Sequence, residues 1–520
     1  MWRALSLVTG MLLFVAGSLP AQRVLYCSPP EDRFVQRREV AGMAGDHFIV
    51  RVDRRRRGGK HRDGSNEESW FEVFDSRMER LNSVPAMPLT DSVVKEYLIS
   101  GADHFDQLLL LRRGMRTGLV VRRYEPTGEV AGGGEKEVGS LSFPEGGNSF
   151  LLIRSADRSK VLLLGFEPVP SSPPKLHALL FDQDWRMLYY RVFDHPYLTQ
   201  PLIQDDLIAY PIEDYDNSPV KLADNGQWLM ISPSRTNQNY LLFHFCETEN
   251  CLSYKEISLP PGGSPEDLAL SLDNEGQEAF VGVLSRLHYT TLKQVRVAHY
   301  SLSRQALDFD SSYRFNTLPA AKIRNANLYK ESFTPVPGKG FLLLKEYGRP
   351  FTGWVDDPID DSRWDPAVLF ADNPAPASQA GAAVIRDGYA RYSMLGGPNS
   401  ERERGDLSFY YLPGMRGDSC WSGMLNKRQT TEMNSPSLSY LVLAIRDKLI
   451  FLYNSLFADD DEYGSATVMD SRGNLLADGG PLFWKFKITL DFQQARRISE
   501  REIAIPYAGP RRNGFAIIRF

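Results

Sequence analysis

One phrase recurs at least five times in this chain: a run of alternating apolar residues, a tight turn built on Asp, Asn or Gly, then a second run. It reads FEVFDSRMERLNSV at 71–84, ALLFDQDWRMLYYRVF at 178–193, VKLADNGQWLMIS at 220–232, SLDNEGQEAFVGVL at 271–284 and TVMDSRGNLLADG at 467–479. Strand, turn, strand at fairly even spacing predicts an all-β repeat architecture. Further strands are expected at LLLLRR (108–113), KVLLLGFE (160–167) and GFLLLKEYG (340–348), with GFAIIRF (514–520) ending the chain inside the fold. Helical periodicity is scarce. Glu67–Arg80 reads as a strand entering an Asp turn, and Gln493–Glu502 keeps some helix-friendly composition.

Four-stranded units of roughly 45–65 residues divide the chain into a β-propeller-like ring of seven or eight blades. Closing a ring removes the exposed edges that endanger a β-rich chain. Tandem β-sandwiches are the alternative, but no Gly/Ser/Pro linker separates blocks of about 100 residues. The expected organisation is one propeller-like domain over 22–520, with irregular insertions near 54–69 and 356–383. Long insertions of this kind collect on a face of a ring.

The first 21 residues read as an export signal: Arg3, an apolar run over 4–17, then Ser18-Leu19-Pro20-Ala21. The run is short for a membrane span, which needs roughly 20 residues. The mature chain is therefore expected to be soluble, monomeric, and periplasmic or extracellular, with no transmembrane segment. Lipid anchoring through Cys27 is disfavoured because Tyr26 stands where processing wants a small residue. A formal net charge of −5 gives no electrostatic case for nucleic acid.

Cys246 and Cys251 flank four residues between two alternating runs, LLFHF and LSYKEI. Facing positions of a hairpin come close enough for a disulfide after local adjustment, so this pair is the candidate bridge. No second pair of cysteines or histidines completes a tetrahedral metal site beside it. Nothing local pairs Cys27 with Cys420.

No HExxH, GxSxG, GxxxxGK[ST] or GxGxxG pattern is present. Ser92-Val93-Val94-Lys95 matches SxxK but lies in an alternating, strand-like run. Three acidic groups stand out: Asp459–Glu462, Asp356-Asp357 with Asp360-Asp361, and Glu213, Asp214 and Asp216. None has calcium-loop spacing, and they read as solvated turns. Asp224-Asn225-Gly226-Gln227-Trp228 falls one residue short of the SxDxGxTW Asp box, so its Asp and Gly are explained by turn geometry. The basic run Arg54–Arg57, extended by Lys60, His61 and Arg62, reads as a solvated loop tip. Trp185, Trp228, Trp421 and Trp484 fall in strand-like runs and are expected to pack blades. Trp354, just before the 356–383 region, and Trp364 within it, both beside carboxylates, are the candidate ligand contacts. No catalytic, cofactor-binding or metal-binding residue is assigned, and no cofactor is expected.

In the C-terminal third, YLPGMRGDSCWSGMLNKRQ followed by YLVLAIRDKLIFLYNS resembles uncharacterised secreted propeller-like proteins of Bacteroidetes. The matching positions are Trp421, Lys427, Gln429, Tyr453 and Asn454, with Ser455 where those proteins often carry Asp. The resemblance implies a secreted β-repeat protein and no particular activity. The expected function is therefore an exported binding or scaffolding module of the cell envelope with a protein or glycan partner. The alternative is a glycoside hydrolase with carboxylates meeting at the propeller axis.

Overall fold

The protein is described by a computed structural model covering most of residues 25–519. The longer stretches outside the described residues are 1–24, 28–34, 56–66, 199–207, 210–217, 317–326, 351–401, 432–439 and 482–488. Briefer ones of one to six residues complete them.

Eight antiparallel sheets follow one another along the chain. We number them as blades 1 (35–85), 2 (93–142), 3 (149–193), 4 (220–257), 5 (264–316), 6 (327–425), 7 (440–481) and 8 (489–519). Blades 1 to 7 are each built on four strands in sequence order, and the first strands of blades 1 and 2, and of blades 3 to 7 in succession, pack on one another. Blade 8 borrows its outer strand from the start of the chain: Leu25–Cys27 pairs antiparallel with Arg512–Arg519, setting Leu25 opposite Ile517. That pairing zips the ring shut. The fold is an eight-bladed β-propeller, and not a row of sandwiches. No helix among the described residues is long and apolar enough to cross a membrane.

The hydrophobic core is divided in the same way. Eight apolar clusters each join two neighbouring blades, from blades 1 and 2 (Ile49, Phe71, Leu98, Phe105) round to blades 8 and 1 (Phe48, Val50, Phe515, Ile517). This explains why the central strands carry continuous apolar runs instead of alternation. In Lys160–Glu167, Val161 and Leu163 face blade 2 while Leu162 and Leu164 face blade 4, so both faces are dry. Outer strands meet water on one side, and Met187–Phe193 returns to alternation with Leu188, Tyr190 and Val192 exposed.

The recurring phrase is a shared turn. In Asp75–Glu79, Asp182–Arg186 and Asp470–Asn474 the first residue's carbonyl accepts from the fourth N–H, and the fifth carbonyl accepts from the first. The fourth residue lies in the left-handed region: Met78 at φ 64°, Trp185 at 60° and Gly473 at 83°. Each Asp side chain accepts two more backbone N–H groups, at 2.8–2.9 Å. Asp is therefore the organiser of the turn, as its local hydrogen-bonding chemistry predicts. A methionine and a tryptophan tolerate positive φ here because the turn buries their side chains. Gly473 is needed for a second reason: a Cβ there would lie 2.7 Å from the Trp421 ring.

Three expectations change. The 493–502 stretch is strand where described, Arg496–Ser499 and the start of Glu502–Gly509. The ends of the 54–69 insertion belong to strands, with Arg55 in register with Glu67. Trp185 sits in a turn and not in a strand. Cys420 is a free thiol in blade 6, and burial raises its pKa to about 11. Asn454, from the resembling segment, is fully buried. It clamps blade 7 to blade 8 by donating to Leu490 O at 2.8 Å and accepting from Leu490 N at 2.9 Å.

Candidate functional site

A cavity of about 700 Å³ opens on the face that carries the turns between first and second strands and between third and fourth strands. Its walls come from blade 2 (His104, Asp106), blade 3 (Arg154, Asp157, Trp185) and blade 8 (Glu502, Arg519), among others. Blades 3 and 8 are not ring neighbours, so a cavity they share lies towards the axis. Arg158 reaches across to Ile498 O at 3.5 Å. A two-residue strand, Ile208–Ala209, adds parallel to Glu96 and Tyr97 on the axial edge of blade 2.

Asp106 is the centre of the polar wall. It is the second residue of a strand buried from Phe105 through Leu110, which carries its carboxylate into the interior. Arg123 from the adjacent strand grips it through two nitrogens, at 2.9 and 3.1 Å. Trp185 Nε1 donates at 2.7 Å, and His104 Nε2 stands at 3.4 Å. Arg123 also holds the Trp185 turn through Asp184 Oδ1 at 2.9 Å and Gln183 O at 2.8 Å. Burial alone would raise the Asp106 pKa, but His104, Arg123 and Trp185 together hold it below the usual carboxylate range.

His104 is raised, first by its hydrogen bond to Asp106 and then by that to Asp103, against the opposing effect of burial. Gly101 makes room for it: a Cβ there would stand 2.5 Å from the imidazole. A histidine raised in the folded state stabilises fully below its unfolded pKa of about 6.5. That contribution is lost as pH rises through the raised value. His104→Asn should therefore be less stable than the parent in mild acid, with the gap closing at alkaline pH. Urea midpoints across that range test it, and a gap that widened with pH would refute the assignment.

Asp157 forms another part of the wall and meets the next blade. Its backbone N–H donates to Asp224 Oδ1 at 3.1 Å, and Ser155 Oγ donates to its carboxylate at 2.6 Å. Burial would raise Asp157, but the hydrogen bonds from Ser155 and Ser159 lower it. Asp224 is raised, by burial first and by Asp157 next. The interlocking continues to blade 5, where Asn274 Oδ1 accepts from Asp224 N at 3.0 Å. The turn around Asp224 thus joins three blades.

Of the residues singled out from sequence, Trp354, Trp364 and Trp484 lie outside the described residues, as do Lys427 and Cys251. So do the acidic groups, apart from Glu462, which begins a strand of blade 7. Trp228 and Trp421 pack blades as expected. Cys246 follows the strand Tyr240–Phe245 and accepts from Gln305 Nε2 at 3.6 Å. The cavity residues were not anticipated. Their one sequence signal is Asp103-His104-Phe105-Asp106, an imidazole between two carboxylates, which follows no recognised spacing rule.

No protein-family model and no curated protein sequence matches the chain. Similar solved structures include the β-propeller domain of the trilobed protease from Pyrococcus furiosus, at 6% identity and TM-score 0.33. That match covers 87% of this chain and 96% of that one. Oligopeptidase B from Leishmania major, at 9% identity and TM-score 0.32, matches over 88% of this chain but only 46% of its own. A eukaryotic initiation factor, at 12% and 0.31, covers 89% of this chain and 88% of that chain.

Proposed function

We propose that the protein is a binding module that receives a polar ligand, a glycan or a peptide segment, in the axial cavity. The observation that carries this reading is the state of Asp106. A general acid needs a raised pKa and a proton to give. Asp106 is held ionised with its oxygens already committed to Arg123 and Trp185, and Glu502 is likewise paired with Arg519. Such groups form a fixed, patterned wall. The Trp185 indole, buried behind this wall, fixes Asp106 through Nε1.

The working site is proposed to be outside the cytoplasm, after removal of residues 1–21. The closing strand supports cleavage there over lipidation at Cys27, because its first residues, Leu25 and Tyr26, would be lost on processing before Cys27. We also propose the Cys246–Cys251 bridge. Phe245 pairs with Leu252, and the same register carried one step further would set Cys246 opposite Cys251.

Ala156, exposed at the cavity mouth, provides the test. Oligosaccharides and short peptides are screened by thermal shift against the parent and against Ala156→Trp, which fills the opening. A ligand at about 100 Kd should stabilise the parent by about 2.7 kcal/mol and leave the variant unmoved. Equal shifts in both proteins would remove the cavity from the reading.

The hydrolase reading keeps one observation in its favour. Asp157 N donates to Asp224 Oδ1 at 3.1 Å, which brings two carboxylate residues of neighbouring blades together, as a glycosidase needs. Reducing-sugar release by the parent, abolished in Asp157→Asn, would establish it in place of the binding module.

A further inference from the structure

Blade 5 brings three metal-ligand side chains to one end. Glu278 opens its second strand, His299 lies near the end of the third, and Asp308 lies near the start of the fourth. One ligand atom of each lies within 4.8 Å of the others. The register shows how this arises. Glu278 pairs with Ser301 and Phe280 with His299, which puts Glu278 and His299 on one face of the sheet. In the next ladder His299 pairs with Phe309 but Tyr300 pairs with Leu307, so Asp308 is the unpaired residue of a β-bulge. A bulge re-aims a side chain and is common beside functional sites. The Phe280 ring stacks on the imidazole at 4.9 Å and 16°, fixing its plane.

A second observation points to a ligand. His299 Nε2 and Glu278 Oε2 stand 2.7 Å apart, on side chains only 12% and 20% exposed. Both atoms are sealed from solvent, and apart from each other neither has a polar partner. Buried polar atoms are nearly always bonded. An ion bound by both would give each a partner, with the two atoms parting to about 3.3 Å, the spacing of N and O ligands on a tetrahedral ion with bonds of about 2.0 Å.

We propose that Glu278, His299 and Asp308 bind a divalent first-row transition ion of the zinc type. One imidazole nitrogen and two carboxylate oxygens make three protein ligands, with the remaining position left to water. The imidazole favours such an ion over calcium or magnesium. Arg304 pairs with one oxygen of Asp308, leaving the other to the ion. The site lies on the cavity-bearing face but in another sector of the ring, where it would tie three strands together at their ends.

The test is calorimetric titration of the full chain, stripped with chelator, with zinc chloride alone. One equivalent should bind, and His299→Gln and Asp308→Asn should each weaken it at least about tenfold. Asp308 is an exposed bulge residue, so its substitution leaves the core intact, and a thermal melt of each variant checks folding. A parent chain that takes up no zinc overturns the proposal, and so do variants that bind the same equivalent with unchanged affinity.

Discussion

Replacing Arg51 with alanine should destabilise the ring by about 3–5 kcal/mol, read as a fall in the urea midpoint. Arg51 and Glu96 are 1% and 0% exposed and lie 2.5 Å apart, one in blade 1 and the other in blade 2. Arg51 also holds Asp53 at 3.1 Å and Ser69 at 2.9 Å, and Gln107 Nε2 donates to Glu96 at 2.7 Å. Removing the guanidinium leaves the Glu96 carboxylate in a dry interface with one amide donor.

The two partners' pKa values carry different messages. Arg51 is raised, because Glu96 and Asp53 outweigh the lowering effect of burial. Glu96 is also raised, because burial outweighs Arg51 and Gln107. Burial is the stronger influence on the carboxylate, so the pair organises the blade 1–blade 2 junction more than it stabilises it. It follows that Arg51→Met with Glu96→Leu should recover more than half of what Arg51→Ala loses, since a matched apolar pair removes both desolvation penalties. A loss below about 1 kcal/mol for Arg51→Ala would show that this junction does not depend on the bridge.

The ring was largely legible in the sequence because its determinants are local. Asp75, Asp182 and Asp470 each build their turn from bonds to backbone two and four residues on. Spacing of such turns counts the blades to within one. What sequence left open, seven blades or eight, is settled by non-local events: the pairing of Leu25–Cys27 with Arg512–Arg519 and the inter-blade cluster that joins Phe48 to Phe515. The cavity was illegible for the same reason. Asp106, Trp185 and Glu502 are hundreds of positions apart or on different blades, and only ring closure brings them together. Trp185 misled in a specific way. Its flanking residues alternate like a strand, but the Asp182 turn claims it at its left-handed position and aims its indole at Asp106. The cluster at 278, 299 and 308 was equally hidden, since a bulge sets Asp308 beside His299 and no spacing rule describes a bulge.

Acid should act on the ring through His244, with a sign opposite to that of His104. His244 in blade 4 is 1% exposed. It meets Tyr300 Oη of blade 5 at 3.0 Å through Nδ1 and Gln227 Oε1 at 3.0 Å through Nε2. A neutral imidazole satisfies both contacts, donating to Gln227 and accepting from Tyr300. Burial lowers its pKa from 6.5 to about 4. A histidine depressed in the folded state contributes its stability above the unfolded pKa and loses it as pH falls, because only the unfolded chain takes up the proton. Between pH 6.5 and about 4 the loss should reach about 3 kcal/mol, and it should level off below that. Carboxylates elsewhere also respond to acid, so the measurement that isolates His244 is the difference between parent and His244→Gln urea midpoints at several pH values. That difference should shrink steadily on acidification, and parallel curves would place the acid sensitivity elsewhere. Because His104 contributes below its raised pKa and His244 above its unfolded one, the two histidines together favour the closed ring most near neutral pH, from about 6.5 towards the raised His104 value.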